Sequence, residues 1–341
     1  MSYQVTIQPS GHQFQVAAGE TILDAAINAS FNLPYGCRNG TCGACKGRVL
    51  QGTVEHEAHQ ASTLIQAEKD QGLALFCCAI PQTDLVIECR EVTTNNGIRP
   101  RIMPARVQKI ERLADDVIAL SLKLPSNERL QFLAGQYIEF LLKDGQRRAF
   151  SLANAPHDDE LLVLHLRHVP GGQFTEHVFT QMQEKAILRL EGPFGSFYLR
   201  EESDKPIIFV AGGTGFAPIK GMVEHLWHTG SKRKILLYWG ARTLKDLYLP
   251  ALPQSWQNAN NNLSFIPVLS EPLETDAWQG RTGLVHQAVL DDLADLSAYQ
   301  VYCCGAPMMV DTARASFQAA GLAADEFFAD AFTYAVPQIN A

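Results

Sequence analysis

Three cysteines crowd into the stretch YGCRNGTCGACKG, Tyr35–Gly47: Cys37, Cys42 and Cys45. Gly36, Gly40, Gly43 and Gly47 lie around them, and no large apolar side chain stands between the thiols. Thiolates that bind iron need a backbone that curls around the metal and aims amide N–H groups at the sulfurs, and residues able to take positive φ make that possible. The spacing C-x4-C-x2-C, completed by a distant cysteine, suits a [2Fe–2S] centre better than the C-x2-C pairs usual for structural zinc. The fourth ligand is then Cys77 or Cys78, adjacent in LFCC. A zinc knuckle or a set of buried thiols is the alternative. Eight cysteines in 341 residues are too few for a disulfide scaffold and too clustered for scattered core thiols. Cys89 and Cys303 read as core thiols on strands.

A second group of chemically able residues follows. RRAFSLAN carries Arg148, Phe150 and Ser151; on a strand, Arg148 and Phe150 share a face. An aromatic there can cover an isoalloxazine, an arginine can pair with pyrophosphate, and the Ser151 hydroxyl can hydrogen-bond a flavin ring. Gly172, Gln173 and Thr175 in GGQFTEHV open a short helix whose free N–H groups suit a diphosphate, although an ordinary turn and N-cap would look the same. VAGGTGFAP sets Gly212, Gly213, Thr214 and Gly215 between a buried strand and a helix, where backbone can approach phosphate closely. It is not G-x-G-x-x-G, and no acidic residue follows the next strand, so an ordinary Rossmann dehydrogenase is disfavoured.

These residues need elements to hold them. YQVTIQP and QFQVAA alternate as a hairpin, a helix follows Thr21, KGRVLQGTVE reads as another hairpin and LVIECREV as a closing strand. This places one domain at 1–92. VTTNNGIRPRIMP gathers Asn, Gly and Pro with almost nothing to bury, a linker at 93–102. From 103 to 200, six short strands and one brief helix near FTEHVFTQM indicate a six-stranded antiparallel barrel. From 205 to 341, buried-type strands (PIIFVAGG, KILLYWG, LSFIPVLS, QVYCCG) alternate with helices, as in a parallel-sheet α/β domain. A formal charge of −8 without any basic run argues against nucleic acid and anionic membrane surfaces. With no basic-then-apolar leader and no long apolar run, a cytoplasmic protein is expected.

The N-terminal cysteine pattern resembles plant-type ferredoxins, which implies a β-grasp fold. The later motifs, in order, resemble the ferredoxin-NADP+ reductase superfamily from about 103 to 332. They are Arg-x-Phe-Ser, Gly-x-x-Thr, Gly-Gly-Thr-Gly-x-Ala-Pro, and Cys304-Gly305-Ala306-Pro307 followed by Met309. Phe150, Thr175 and Ala306 depart from the usual Tyr, Ser and Pro. The ferredoxin resemblance favours Cys77 as fourth ligand, because LFC matches the family's Leu-x-Cys, and implies Cys37 and Cys42 on the outer iron, Cys45 and Cys77 on the inner. The reductase resemblance implies that Cys304, with Gly305, Pro307 and Met309, lies beside the nicotinamide where hydride moves to the flavin contacted by Ser151. It also implies that Gly240 and Arg242 in YWGAR meet the adenosine end, and that Phe332 of FFADAF stacks near the flavin.

The implied activity is that of an NAD(P)H-dependent reductase carrying electrons through FAD and a [2Fe–2S] cluster to an acceptor protein. No residue acts as acid or base on a substrate. The domain order matches reductases of benzoate-type dioxygenases, phenol hydroxylases and methane monooxygenases. Phrases such as LAGQYIEF, GGTGFAPIKGMVE and FFADAF look most like the CDP-6-deoxy-Δ3,4-glucoseen reductases, which serve a pyridoxamine-phosphate (PMP) dehydratase. Direct reduction of a quinone or flavin and a non-enzymatic redox sensor are the other readings. Arg38, Asn39 and Thr41, between the first two ligands, are the candidates for the surface the acceptor meets.

Overall fold

The computed structural model describes residues 2–89 and 97–333. Residues 93–96 of the expected linker, and the end of the strand expected before it, lie outside them. The described residues divide into two compact units, one holding those up to Arg101 together with Gly192–Ser196, the other Ile102–Glu191 and 197–333.

In the first unit a five-stranded sheet runs in the order Gln13–Ala17, Ser2–Gln8, Leu85–Glu88, Lys46–Gln51, Leu73–Leu75. The opening hairpin forms as expected, with Val5 opposite Phe14, and Ser2–Gln8 then pairs in parallel with Leu85–Glu88. Val5, Ile7, Phe14 and Val16 alternate inward, and the helix Ile22–Asn28 buries Ile22, Leu23, Ala25, Ala26 and Ile27. Its start is capped by Thr21, whose Oγ1 accepts from the Asp24 amide at 3.1 Å. The second expected hairpin does not exist. Lys46–Gln51 pairs with Leu73–Leu75 on one side and Leu85–Glu88 on the other, and Val54–His56 pairs with Ala79–Pro81. The intervening Gly52 looks like a hairpin turn, but both edges of the strand before it are already taken. It serves close packing, since a Cβ there would lie 2.3 Å from the Asp84 carbonyl oxygen.

The second unit begins with six strands ordered Arg147–Ser151, Tyr137–Leu141, Ile187–Phe194, Arg101–Ala114, Val117–Lys123, Leu162–Arg167. A single antiparallel bridge, Leu152 to Leu164, joins the two ends and closes the barrel. Residues 101–102, expected in the linker, already belong to the strand Arg101–Ala114. The interior is filled by Leu120, Leu122, Ile138, Phe140, Leu164 and Leu190.

A wholly parallel sheet follows, ordered Arg281–Thr282, Leu263–Leu269, Ile235–Ala241, Ile207–Gly212, Gln300–Gly305, Phe327–Ala331. Ile207, Phe209 and Ala211 pack into one apolar cluster, Ile208 and Val210 into another, so the central strand is buried on both faces. That is why its sequence is a continuous apolar run. The strand order reverses at Ile207–Gly212, whose successor Ile235–Ala241 lies on one side and Gln300–Gly305 on the other. A crevice at the carboxyl ends of such strands is where open α/β sheets bind ligands. FFADA, read from sequence only as a terminal segment, is the sheet's last strand.

Candidate redox site

The cluster loop is positioned by strand pairing. Lys46 stands opposite Leu75, so the residues just outside that pair, Cys45 and Phe76-Cys77, meet, and the Phe76 amide donates to the Cys45 carbonyl at 3.1 Å. Before Cys45 the chain curls through three left-handed positions, Arg38 (φ +58°), Gly40 (+74°) and Gly43 (+73°). Gly40 is required twice over, because a Cβ there would lie 2.5 Å from His59 Cβ and 2.8 Å from Cys78 Sγ. The curl turns amides onto sulfur. Thr41 and Cys42 N–H each donate to Cys37 Sγ at 3.3 Å, and Cys37 N–H donates to Cys42 Sγ at 3.4 Å.

The thiols sort into two pairs. A hydrogen bond from Cys42 draws Cys37 down to about 6 against the opposing effect of burial. One from Cys45, then one from Cys78 and the Gly40 amide, draws Cys77 down to about 4. Cys42 and Cys45, the donors, are pushed up. Cys37/Cys42 and Cys45/Cys77 are the pairs that the ferredoxin resemblance assigns to separate irons. A two-iron centre, taking two thiolates per metal, fits the pairing of the thiols and the glycine cradle.

Arg38 is not a side chain held out to an acceptor. Its Nη2 lies 2.8 Å from Asp24 Oδ1, its guanidinium stacks 4.1 Å over Phe194 of the same unit, and only 18% of the side chain is exposed. Asp24 draws it back across the loop, a pairing that the spacing of the cysteines does not reveal. Asn39 remains exposed, and its Oδ1 accepts from the Thr41 hydroxyl at 2.6 Å.

In the second unit, Arg148 and Phe150 share a face of Arg147–Ser151 as expected. The Arg148 guanidinium folds onto Gln146 and the Arg147 carbonyl, and Phe150 packs 5.5 Å from Phe174. Thr175 Oγ1 lies 3.2 Å from the carbonyls of Val169 and Gly172 and accepts from the Val169 amide. Its hydroxyl therefore shapes the turn ahead of the helix Gln173–Thr180. Gly172 caps that helix without a side-chain hydrogen bond.

At the sheet's switch point Gly212 and Gly305 lie side by side under Met309. A Cβ on Gly305 would be 3.0 Å from Gly212 Cα, and one on Gly212 would be 2.7 Å from Met309 Sδ. Gly215 cannot bear any side chain, since its Cβ would fall 2.0 Å from the Cys304 carbonyl oxygen. The turn Gly213–Gly215 is thus pressed against the end of Gln300–Gly305, with the Gly213 carbonyl accepting from Trp239 Nε1 at 3.0 Å, and Thr214 within it is half-buried. Pro307 starts the helix Pro307–Ala319. Cys304 is fully buried, and burial, then Asp330, pushes its thiol up. Gly240 gives room to Val285, 2.7 Å from where its Cβ would be, while Arg242 is exposed beyond the strand. Phe332 donates its amide to the Gly305 carbonyl at 2.8 Å and packs on the sheet's core.

Two residues that the motifs did not single out belong here. Asp330 sits beside Cys304 in the parallel register, and its Oδ2 lies 3.4 Å from Ser151 Oγ. Ser151, Asp330 and Cys304 therefore gather from three strands far apart in sequence. Arg167 brings its guanidinium to 3.7 Å from where a Gly213 Cβ would be, and its Nε is buried without a partner. FFADAF offers Asp330 beside Phe328 and Phe332 but assigns it no role, and nothing in LHLRH marks Arg167.

An amide-lined two-iron cradle, a barrel and a parallel sheet with glycines clustered at its switch point define an iron–sulfur flavoprotein of the nicotinamide-linked class. Family models agree: a 2Fe-2S iron-sulfur cluster binding domain matches residues 5–82, an oxidoreductase FAD-binding domain 104–198, and an oxidoreductase NAD-binding domain 209–315. The chain is 38% identical over 332 residues to the CDP-6-deoxy-L-threo-D-glycero-4-hexulose-3-dehydrase reductase of Yersinia pestis, covering 97% of this chain and 99% of that one. It is 36% identical to terephthalate 1,2-dioxygenase reductase component 1 of Comamonas sp. over 97% and 98% of the two chains. Among solved structures the Amycolatopsis reductase GcoB superposes with a TM-score of 0.83 at 31% identity, covering 97% of this chain and 99% of that one. The chain belongs to the family of NAD(P)H-dependent [2Fe–2S] flavoprotein reductases, which pass electrons from the nicotinamide through FAD to the cluster and on to an acceptor. No helix among the described residues is long and apolar enough to cross a membrane.

Proposed function

We propose that this reductase supplies electrons to a PMP-dependent dehydratase acting on a CDP-4-keto-6-deoxyhexose, and that it does so in the cytoplasm. The observation that carries the reading is the end-to-end likeness to a hexulose-dehydrase reductase. When bound, the flavin takes hydride from the nicotinamide and the cluster hands electrons on singly.

The protein's own residues position these groups. Cys37, Cys42, Cys45 and Cys77 hold the iron. Arg148, Phe150, Ser151 and the Gly172–Thr175 helix start hold the flavin. Gly212–Gly215 and Gly305, with Met309 over them, bear no side chain except that of Thr214, so the dinucleotide can approach their backbone closely. Arg242, exposed past the second strand, reaches the adenosine end, and Phe332 closes the flavin side. Ser151 and Asp330 orient the reacting rings by hydrogen bonding, and no proton need pass to a substrate.

Anaerobic reconstitution tests the proposal. Protein, NADH, dehydratase, PMP and the CDP-ketosugar are expected to give NADH-dependent 3-deoxygenation. Failure there, with NADH-dependent turnover of an oxygenase component, would favour the second reading, which the similarity to the terephthalate dioxygenase reductase supports.

A further inference from the structure

Cys78 is left over once four thiols are assigned to iron, yet it lies inside the cradle. Its side chain is buried, with Sγ 3.6 Å from Cys77 Sγ and 4.0 Å from the Ala58 carbonyl oxygen. Gly40 gives it that place, since any larger residue at 40 would come within 2.8 Å of the Cys78 sulfur. The Gly40 amide also donates to the Cys77 sulfur.

Cys78 has one proton and two acceptors in reach. Were Cys77 a free thiol, either sulfur could donate to the other. Bound to iron, Cys77 is a thiolate without a proton, so the contact can run only from Cys78. An anionic sulfur at 3.6 Å outcompetes a neutral carbonyl at 4.0 Å.

We propose that the Cys78 thiol donates a hydrogen bond to the Cys77 sulfur and thereby raises the reduction potential of the cluster. Reduction adds negative charge that spreads onto the ligating sulfurs, and a donor aimed at one of them stabilises the reduced state more than the oxidised. Cys78 is thus a tuning residue outside the iron's ligand set, and it biases electron flow from flavin towards the cluster. The inference rests on the reading that Cys77 is the fourth ligand.

The test is a potentiometric titration of the purified full-length holoprotein, followed by electron paramagnetic resonance for the cluster and visible absorption for the flavin. It compares wild type with Cys78→Ala and Cys78→Ser. The expected result is a cluster midpoint shifted down in Cys78→Ala and returned close to wild type in Cys78→Ser, whose hydroxyl keeps the donor, with the flavin midpoint unmoved in all three. Equal midpoints in all proteins, equal displacement in both variants, or failure of Cys78→Ala to assemble a cluster would each overturn it. A Cys77→Ala protein that keeps its cluster while the Cys78 variants lose theirs would make Cys78 the ligand. Wild-type protein lacking iron and acid-labile sulfide would instead remove the [2Fe–2S] reading beneath it.

Discussion

Two sets of cysteines in this chain live in opposite surroundings. Cys37 sits in a loop whose amides turn onto its sulfur, Cys77 follows Leu73–Leu75 beside that loop and takes the Gly40 amide, and both thiols, each hydrogen-bonded by a neighbouring thiol, are drawn down into the range where they ionise. Cys303 and Cys304 sit in Gln300–Gly305, where backbone groups are committed to Ile207–Gly212 on one side and Phe327–Ala331 on the other. Burial pushes Cys303 up to about 12 and Cys304 up as well. The first set is ready to bind metal, while the second stays neutral and shapes the wall against which Gly215 packs. The use of a thiol here depends on its neighbours: Cys42 and Cys45 thiols first, and loop amides after them, favour ionised Cys37 and Cys77, whereas Cys303 and Cys304 meet mainly burial.

The largest effect expected from disturbing that contrast is at Gly40. Gly40→Ala forces a left-handed residue, costing about 1–2 kcal/mol, into a site where its Cβ meets His59 and Cys78. The amide aimed at Cys77 is displaced with it. Purified Gly40→Ala is expected to carry less than about a tenth of the wild-type iron per flavin, measured by metal analysis against flavin absorbance. A normal iron-to-flavin ratio would show that the curl of the loop is not what readies the thiolates.

A smaller effect is expected at the buried set, through Asp330, the charged neighbour of Cys304. Asp330→Asn keeps the shape but removes the charge beside Ser151 Oγ and Cys304. If Ser151 and Asp330 orient the reacting rings as proposed, losing their charge-assisted hydrogen bond, worth roughly 1.5 kcal/mol, corresponds to about a tenfold slower flavin reduction by NADH in stopped flow. Flavin content should stay at the wild-type level. An unchanged rate would reduce Asp330 to a strand residue that happens to lie near Cys304.

The cluster loop was legible in the sequence because its ligands are local. Three lie in one loop and the fourth follows a strand paired beside it, so spacing and glycines carry nearly all of the information. The barrel and the parallel sheet were legible through alternation and through continuous apolar runs, each matching one or two buried faces. What escaped depended on partners distant in sequence. Asp330 reaches Ser151 only because FFADA adds a sixth strand to the sheet. Arg38 is turned inward by a carboxylate on the preceding helix, and the hairpin expected across Gly52 yields to strands that arrive from residues 73–75 and 85–88. Gly240 and Gly215, read as dinucleotide contacts, also have packing duties that no motif distinguishes.

The smallest effect extends the contrast to a histidine. His165, on Leu162–Arg167, is fully buried with Nδ1 2.9 Å from the Tyr248 hydroxyl, and burial, then the charge of Lys220, draws it down to about 3. Like Cys304 it is held neutral by a lack of water. Its folded value lies below the ordinary value of about 6.5, so between those limits the unfolded chain takes up a proton that the folded chain refuses. Stability from this group is therefore complete above about pH 6.5 and declines as pH falls towards 3, with a limiting slope of about 1.4 kcal/mol per pH unit. Urea unfolding followed by tryptophan fluorescence at pH 7.5 and pH 5.5 is expected to cost wild type about 1 kcal/mol more than His165→Gln, with the difference between the two proteins isolating this histidine from other titrating groups. Parallel loss in both would mean that His165 accepts its proton without unfolding, and that burial alone does not decide charge in this barrel.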